Sequence, residues 1–136
     1  MELENQSTLE NEVFILKIER LSKLRPSKFK ELRGSFTKMK NLNENKRNNG
    51  RKIIIKRNSK YARLKIKPSP IQILDICEMI EYKYPTLSLE EFHYALKHAR
   101  WRTFDEEVNH YGYFDATYIA DVLKAYGNWI KKIRCH

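Results

Sequence analysis

Ser69-Pro-Ile-Gln-Ile-Leu-Asp-Ile-Cys-Glu-Met-Ile-Glu-Tyr-Lys-Tyr-Pro85 carries the plainest helix signals in the chain. Ser69, Pro70 and Gln72 give three helix-start signals together: a capping hydroxyl, proline at the first helical position, and glutamine three residues after the cap. Ile73, Ile76, Cys77, Ile80 and Tyr84 then return on one helical face, and Pro85 stops the helix. Ser88-Leu-Glu-Glu91 repeats the start signal, followed by a stripe of Leu89, Phe92, Leu96 and Ala99. Asp115 caps a last helix whose apolar face is Ile119, Val122, Leu123, Tyr126, Ile130 and Ile133. Three such helices can bury a common core, so residues 68–136 are expected to form a three-helix module. Between the last two helices, Thr103 to Phe114 reads as a polar and aromatic loop.

Working back from Ser69, the chain becomes basic. Of the 27 Lys and Arg in 136 residues, 19 lie in residues 1–67, against 7 of the 17 Asp and Glu, a net of +12; residues 68–136 carry −2. From Lys17 to Lys67 the same 19 cations face only Glu19, Glu31 and Glu44. Such a density repels itself and becomes favourable against an anionic polymer, where each neutralised phosphate releases condensed counterions. A basic membrane-surface helix would need a broad apolar face, and Asn and Gly interrupt this one. The expected contacts to nucleic acid are Arg47, Arg51, Lys52, Lys56, Arg57, Lys60, Arg63, Lys65 and Lys67.

Within this basic half, residues 1–8 read as polar and disordered. A first helix is expected over Leu9–Leu24, with Ser7 and Glu10 as a capping box and Leu9, Val13, Leu16 and Leu24 as its stripe, flanked by Phe14 and Leu21. Pro26 closes it, and Ser27 caps a second helix reaching Met39, weakened by Gly34. Asn41 to Gly50 reads as a linker. Leu64 and Ile66 alternate with Arg63, Lys65 and Lys67, which leaves two conformations open for residues 52–67: a short basic hairpin or a disordered basic arm. The expected fold is therefore mainly α: a basic N-terminal region over 1–67 with helices and an arm or short hairpin, then the helical module over 68–136.

The residues offer no catalytic or cofactor constellation. His93 and His98 are five apart, on different helix faces, and no Cys-x-x-Cys pair exists, so no metal site is expected. Asp105, Glu106 and Glu107 are consecutive and diverge, unlike the spaced carboxylates of a metal-dependent nuclease. Cys77 and Cys135 suggest no disulfide framework, no apolar run could cross a bilayer, and the acidic start lacks the marks of a signal peptide; the chain reads as cytoplasmic. Aromatics are the remaining signal. Trp101, Tyr111, Tyr113, Phe114, Tyr126 and Trp129 either dock a partner or close the small core. Phe29, Phe36 and Tyr61, interleaved with Lys and Arg, are candidates for stacking on bases.

The stretches Leu87-Ser-Leu-Glu-Glu-Phe-His-Tyr-Ala-Leu-Lys97, Asn109-His-Tyr-Gly-Tyr-Phe-Asp115 and Tyr118-Ile-Ala-Asp-Val-Leu-Lys-Ala-Tyr126, with Trp129, resemble small replication-associated, helicase-loader-like proteins of Bacteroidetes phages and mobile elements. The resemblance implies the order helix, aromatic loop with a His-Tyr-x-x-Phe element, and helix ending in Val-Leu-x-Ala-Tyr. It also implies a role in DNA replication and a replicative helicase or other replication protein as partner. It does not extend into the basic half. Together these readings give a non-enzymatic nucleic-acid-binding accessory protein; the alternative is a phage-encoded protein-interaction factor or inhibitor of a host protein.

Overall fold

The computed structural model describes residues 2–135, with side chains from Thr8 onward. Among the described residues there are six α-helices and no strand: α1 Glu2–Ser22, α2 Pro26–Arg33, α3 Glu44–Tyr61, α4 Pro70–Lys83, α5 Leu89–Arg100 and α6 Ala116–Lys132, with a 3-10 turn at Met39–Asn41. The fold is mainly α, with α4, α5 and α6 as the C-terminal helical module. No helix among the described residues is long and apolar enough to cross a membrane.

The start signals of the module work as the sequence predicts. Ser69 Oγ accepts from the Gln72 N–H at 3.2 Å, and Gln72 Oε1 accepts from the Ser69 N–H at 2.8 Å. Asp115 Oδ1 accepts from the Tyr118 N–H at 2.9 Å. Ser88 accepts from the Glu91 N–H at 3.1 Å, but the reciprocal half differs. Glu91 instead accepts from the Ser88 hydroxyl at 3.2 Å and the Tyr126 hydroxyl at 2.6 Å, so its carboxylate joins α5 to α6.

The N-terminal half departs most from expectation. Residues 44–61 are one continuous helix, not a linker followed by a hairpin or arm. Asn43 caps it by accepting from the Lys46 N–H at 2.8 Å. Its inward face is Gly50, Arg51, Ile54, Ile55 and Asn58, regular in helical spacing but mixed in polarity. A Cβ on Gly50 would lie 2.5 Å from Leu89 Cδ1, so the missing side chain lets α3 lie close on α5.

The other N-terminal elements shift as well. Helix α1 already runs from Glu2 and ends at Ser22, so Ser7–Glu10 does not open it, and Pro26 opens α2 instead of closing α1. Arg25, not Ser27, takes the cap position of α2, which stops at Arg33 well short of Met39. The expected stripe divides: Leu9, Val13 and Leu16 are 59%, 66% and 70% exposed, while Leu24 and the flanking Phe14 are half-buried and Leu21 is buried, together with Ile18.

Helix α5 is the axis of the molecule. All of Leu89–Ala99 is buried, including Glu90, Glu91, His93, Lys97 and His98. Such a helix needs neighbours on every side. It receives α1 and α3 from the N-terminal half and α6 from the C-terminal half, and α2 lays Phe29 on Tyr94 with ring centroids 3.8 Å apart. The buried apolar residues of both halves form one continuous core.

Each polar group on α5 has an assigned neighbour. Glu90 lies 3.7 Å from Lys17, Lys97 donates to Ser22 Oγ at 3.0 Å and lies 3.5 Å from Glu19, and His98 contacts the Ser22 carbonyl and Thr103 Oγ1, both at 2.8 Å. This is why a helix with five polar residues can sit inside. Two atoms are exceptions: the Tyr94 hydroxyl and His93 Nε2 are buried without a hydrogen-bond partner, although Glu19 lies 3.1 Å from His93 Nε2.

Candidate nucleic-acid interface

Helix α3 sorts its cations by face. Lys52, Lys56 and Lys60 recur every four residues on the outer side, about 6 Å apart along the axis at 1.5 Å per residue. All three are exposed, and among the described residues none pairs with a carboxylate. The arginines turn the other way. Arg51 is 2% exposed and donates to Glu81 at 2.8 Å and Asn48 at 2.6 Å. Arg47 lies 3.6 Å from the same Glu81 oxygen, and Arg57 donates to Glu19 at 3.3 Å. The expectation that Arg51 contacts nucleic acid is therefore corrected: its guanidinium ties α3 to α4, and Arg47 and Arg57 are also engaged within the fold.

Beyond Ala62 the chain runs along the aromatic loop. The Lys65 N–H donates to the Gly112 carbonyl at 2.7 Å, and Ile66 makes an isolated parallel bridge with Tyr113. Gly112 has φ +93°, and a Cβ there would meet Lys65 Cγ at 2.6 Å, so both backbone and space require glycine. Tyr111 also has a left-handed backbone, φ 54°, held by Asn109 Oδ1 accepting from its N–H at 2.8 Å and by His110 Nδ1 accepting from the Gly112 N–H at 2.7 Å. This turn leaves Tyr111 75% exposed beside Tyr113, whose ring centroid is 6.0 Å from Lys65 Nζ.

The expected aromatic set divides. Trp101, Tyr111 and Tyr113 are on the surface. Phe114, Tyr126 and Trp129 are buried in the core, as is Phe29, with Phe36 packed 5.6 Å from its ring, so these five are structural. Tyr61 stays exposed.

Between the end of α3 and the loop after α5 opens a cleft of about 430 Å³ lined by Tyr61, Arg63, Arg100, Arg102, His110 and Tyr118, among others. Arg100 is half-buried at its wall. It donates to Asn58 Oδ1 and lies over the Tyr61 ring at 5.3 Å. Burial pushes its guanidinium below the usual arginine range. Among the described residues no carboxylate pairs with it; Glu19, whose field reaches it, is shared by Arg57 and Lys97. Arg102, at φ 56°, pairs with Glu107 at 3.1 Å. Arg100 and Arg102 are not among the residues expected from sequence, where the Arg100-Trp-Arg102 run beside the aromatic cluster was the available signal; His110 entered only as part of the His-Tyr-x-x-Phe element.

Behind the cleft, Asn58 connects Arg100 to a buried set around His93 and Glu19. Burial, opposed by Glu19, pushes His93 down to about 4. Burial alone would raise the Glu19 carboxyl, but His93, Lys97 and Arg57 outweigh it and hold it below the usual range. Among the described residues no three His, Cys, Asp or Glu converge as metal ligands. A larger groove of about 620 Å³ lies elsewhere, between α1 and α3, lined by Leu9, Val13, Phe14, Leu42, Gly50 and Leu89.

Comparison with protein families, with curated proteins and with solved structures returns no match for this chain.

Proposed function

We propose that this chain is a non-enzymatic nucleic-acid-binding accessory protein that acts on DNA in phage or mobile-element replication, the setting implied by the resemblance of its C-terminal half. One observation carries the binding role. Lys52, Lys56 and Lys60 lead along α3 into a segment bearing Arg63, Lys65 and Lys67, and that segment is strapped to the loop that presents Tyr111 and Tyr113. Cations without carboxylate partners next to exposed rings suit phosphates and bases together.

Binding measured across a salt series tests the reading. If all six cations meet phosphates, log K falls against log salt with a slope of about −5 on duplex and about −4 on single strands. No binding to DNA or RNA at low salt would refute it.

A second reading, a protein-interaction factor, is favoured by the outward Leu9, Val13 and Leu16 face and the groove beside it. The triple change of these residues to Ser separates the two. It leaves DNA affinity unchanged if nucleic acid is the ligand, and it abolishes capture of a partner that survives nuclease treatment if protein is.

A further inference from the structure

We infer that the Arg100 cleft is a pocket for a phosphate monoester, and that on a nucleic acid it takes the phosphorylated end of a strand. The nucleic-acid part of this inference rests on the function proposed above; the phosphate pocket itself does not.

The charge around the cleft is out of balance. A half-buried guanidinium is normally compensated by a carboxylate, because removing a charge from water is costly. The groups bonded to or stacked on Arg100 are neutral: the Asn58 and Leu96 carbonyl oxygens and the face of Tyr61; Glu19 acts on it only from a distance and is shared by Arg57 and Lys97. Arg63 lines the same cleft, exposed and without a carboxylate partner among the described residues. Arg102 and Glu107 also line it and pair with each other at 3.1 Å, so they add no net charge to the cleft. Two uncompensated guanidinium charges thus face one cleft.

A phosphate monoester carries close to two negative charges at neutral pH, whereas an internal phosphodiester carries one. The monoester therefore neutralises the pair. Guanidinium groups also match phosphate oxygens in a bidentate manner. The volume of about 430 Å³ falls within the range of small-molecule pockets and has room for one nucleotide. Tyr61, 67% exposed at the rim, gives a ring on which the attached base can stack. Asn58 holds Arg100 from the core side, so the anchor is positioned before any ligand arrives.

The experiment compares one single-stranded DNA 12-mer with a phosphate at the 5′ end, at the 3′ end or at neither, by fluorescence anisotropy at fixed salt. AMP and inorganic phosphate are titrated separately by calorimetry. The expected result is at least tenfold tighter binding of one phosphorylated 12-mer than of the unphosphorylated one. That preference should fall to within about twofold in Arg63→Ala and Arg100→Lys. Arg63 is on the surface, so its variant stays informative even if Arg100→Lys fails to fold.

Equal affinity for all three 12-mers would overturn the pocket and leave the proposed function standing. Binding of AMP or phosphate, abolished by Arg63→Ala, with no 12-mer bound would support the pocket, identify its ligand as a free nucleotide and overturn its strand-end role. No binding of any probe would overturn the pocket; the proposed function falls only if duplex DNA and RNA are unbound as well.

Discussion

The Asn58 amide nitrogen lies 3.0 Å from His93 Nδ1. The same nitrogen donates to the Ile54 carbonyl at 2.8 Å, and the amide oxygen accepts from Arg100, so the orientation of Asn58 is fixed and Nδ1 must act as acceptor. His93 is therefore a neutral imidazole whose Nε2–H points toward Glu19, 3.1 Å away but off the line of a good hydrogen bond. One buried amide thus holds both the core histidine and the arginine of the cleft.

Acid should loosen the fold through its buried histidines. His93 is depressed from 6.5 to about 4, and His98 is also lowered, mainly by burial. Between these values the unfolded chain binds more protons than the folded one, so stability falls as pH falls. The contribution is complete above pH 6.5 and is lost progressively toward pH 4, on the order of 2 kcal/mol. Urea midpoints from pH 7.5 to 4.5 should decline through this window, and a flat profile would contradict a neutral buried His93. Below it, the lowered carboxyl of Glu19 adds loss in the same direction.

Cations of α3 should separate into two phenotypes. Arg51→Ala removes a buried side chain bound to Glu81 and Asn48; because Glu81 is half in solvent, the cost is about 2 kcal/mol, less than for a fully buried pair. Its DNA affinity per folded molecule should not change. The triple change of Lys52, Lys56 and Lys60 to Ala should leave stability within about 0.5 kcal/mol and reduce the salt slope by about 2 to 3. Thermal melts and binding isotherms on the same samples check both.

Gly112→Ala should cost about 1–3 kcal/mol from its positive φ, with a further clash against Lys65 Cγ. It should release residues 63–67 from the loop. Hydrogen exchange would then show the Lys65 N–H, bonded to Gly112 in the native chain, losing protection ahead of the α5 core.

Tyr94→Phe should stabilise the protein by about 1 kcal/mol, because the hydroxyl is buried without a partner while the ring keeps its stacking on Phe29 and His98. Burial pushes that hydroxyl up to about 12, so difference spectra should show no Tyr94 ionisation below pH 11 in the wild type. A lower denaturation midpoint in the variant would show that the hydroxyl has a partner in solution.

The sequence by itself determined the C-terminal helices. Ser69, Ser88 and Asp115 bond to backbone groups within three residues, and the stripe of α6 is made of apolar residues alone, so local chemistry and period agree. The uneven distribution of charge was equally plain.

Tertiary structure decided the rest. Helix α3 escaped pattern reading because its buried stripe mixes Gly50, Arg51, Ile54, Ile55 and Asn58, whose polar members become acceptable only beside Glu81, His93 and Arg100 on other helices. Along α1 and just past its end the residues with the right period divide, Leu9, Val13 and Leu16 facing solvent and Leu24 the core, since burial is set by where α5 lies and not by spacing alone. The cleft has the same origin: Arg63 and Arg100 are far apart in the chain, and only the docking of residues 62–67 on the Asn109–Phe114 turn brings them to one wall. Caps and apolar periods act within a few residues and can be read along the chain. Partners for buried charges come from distant segments, so their positions exist only once the chain has packed.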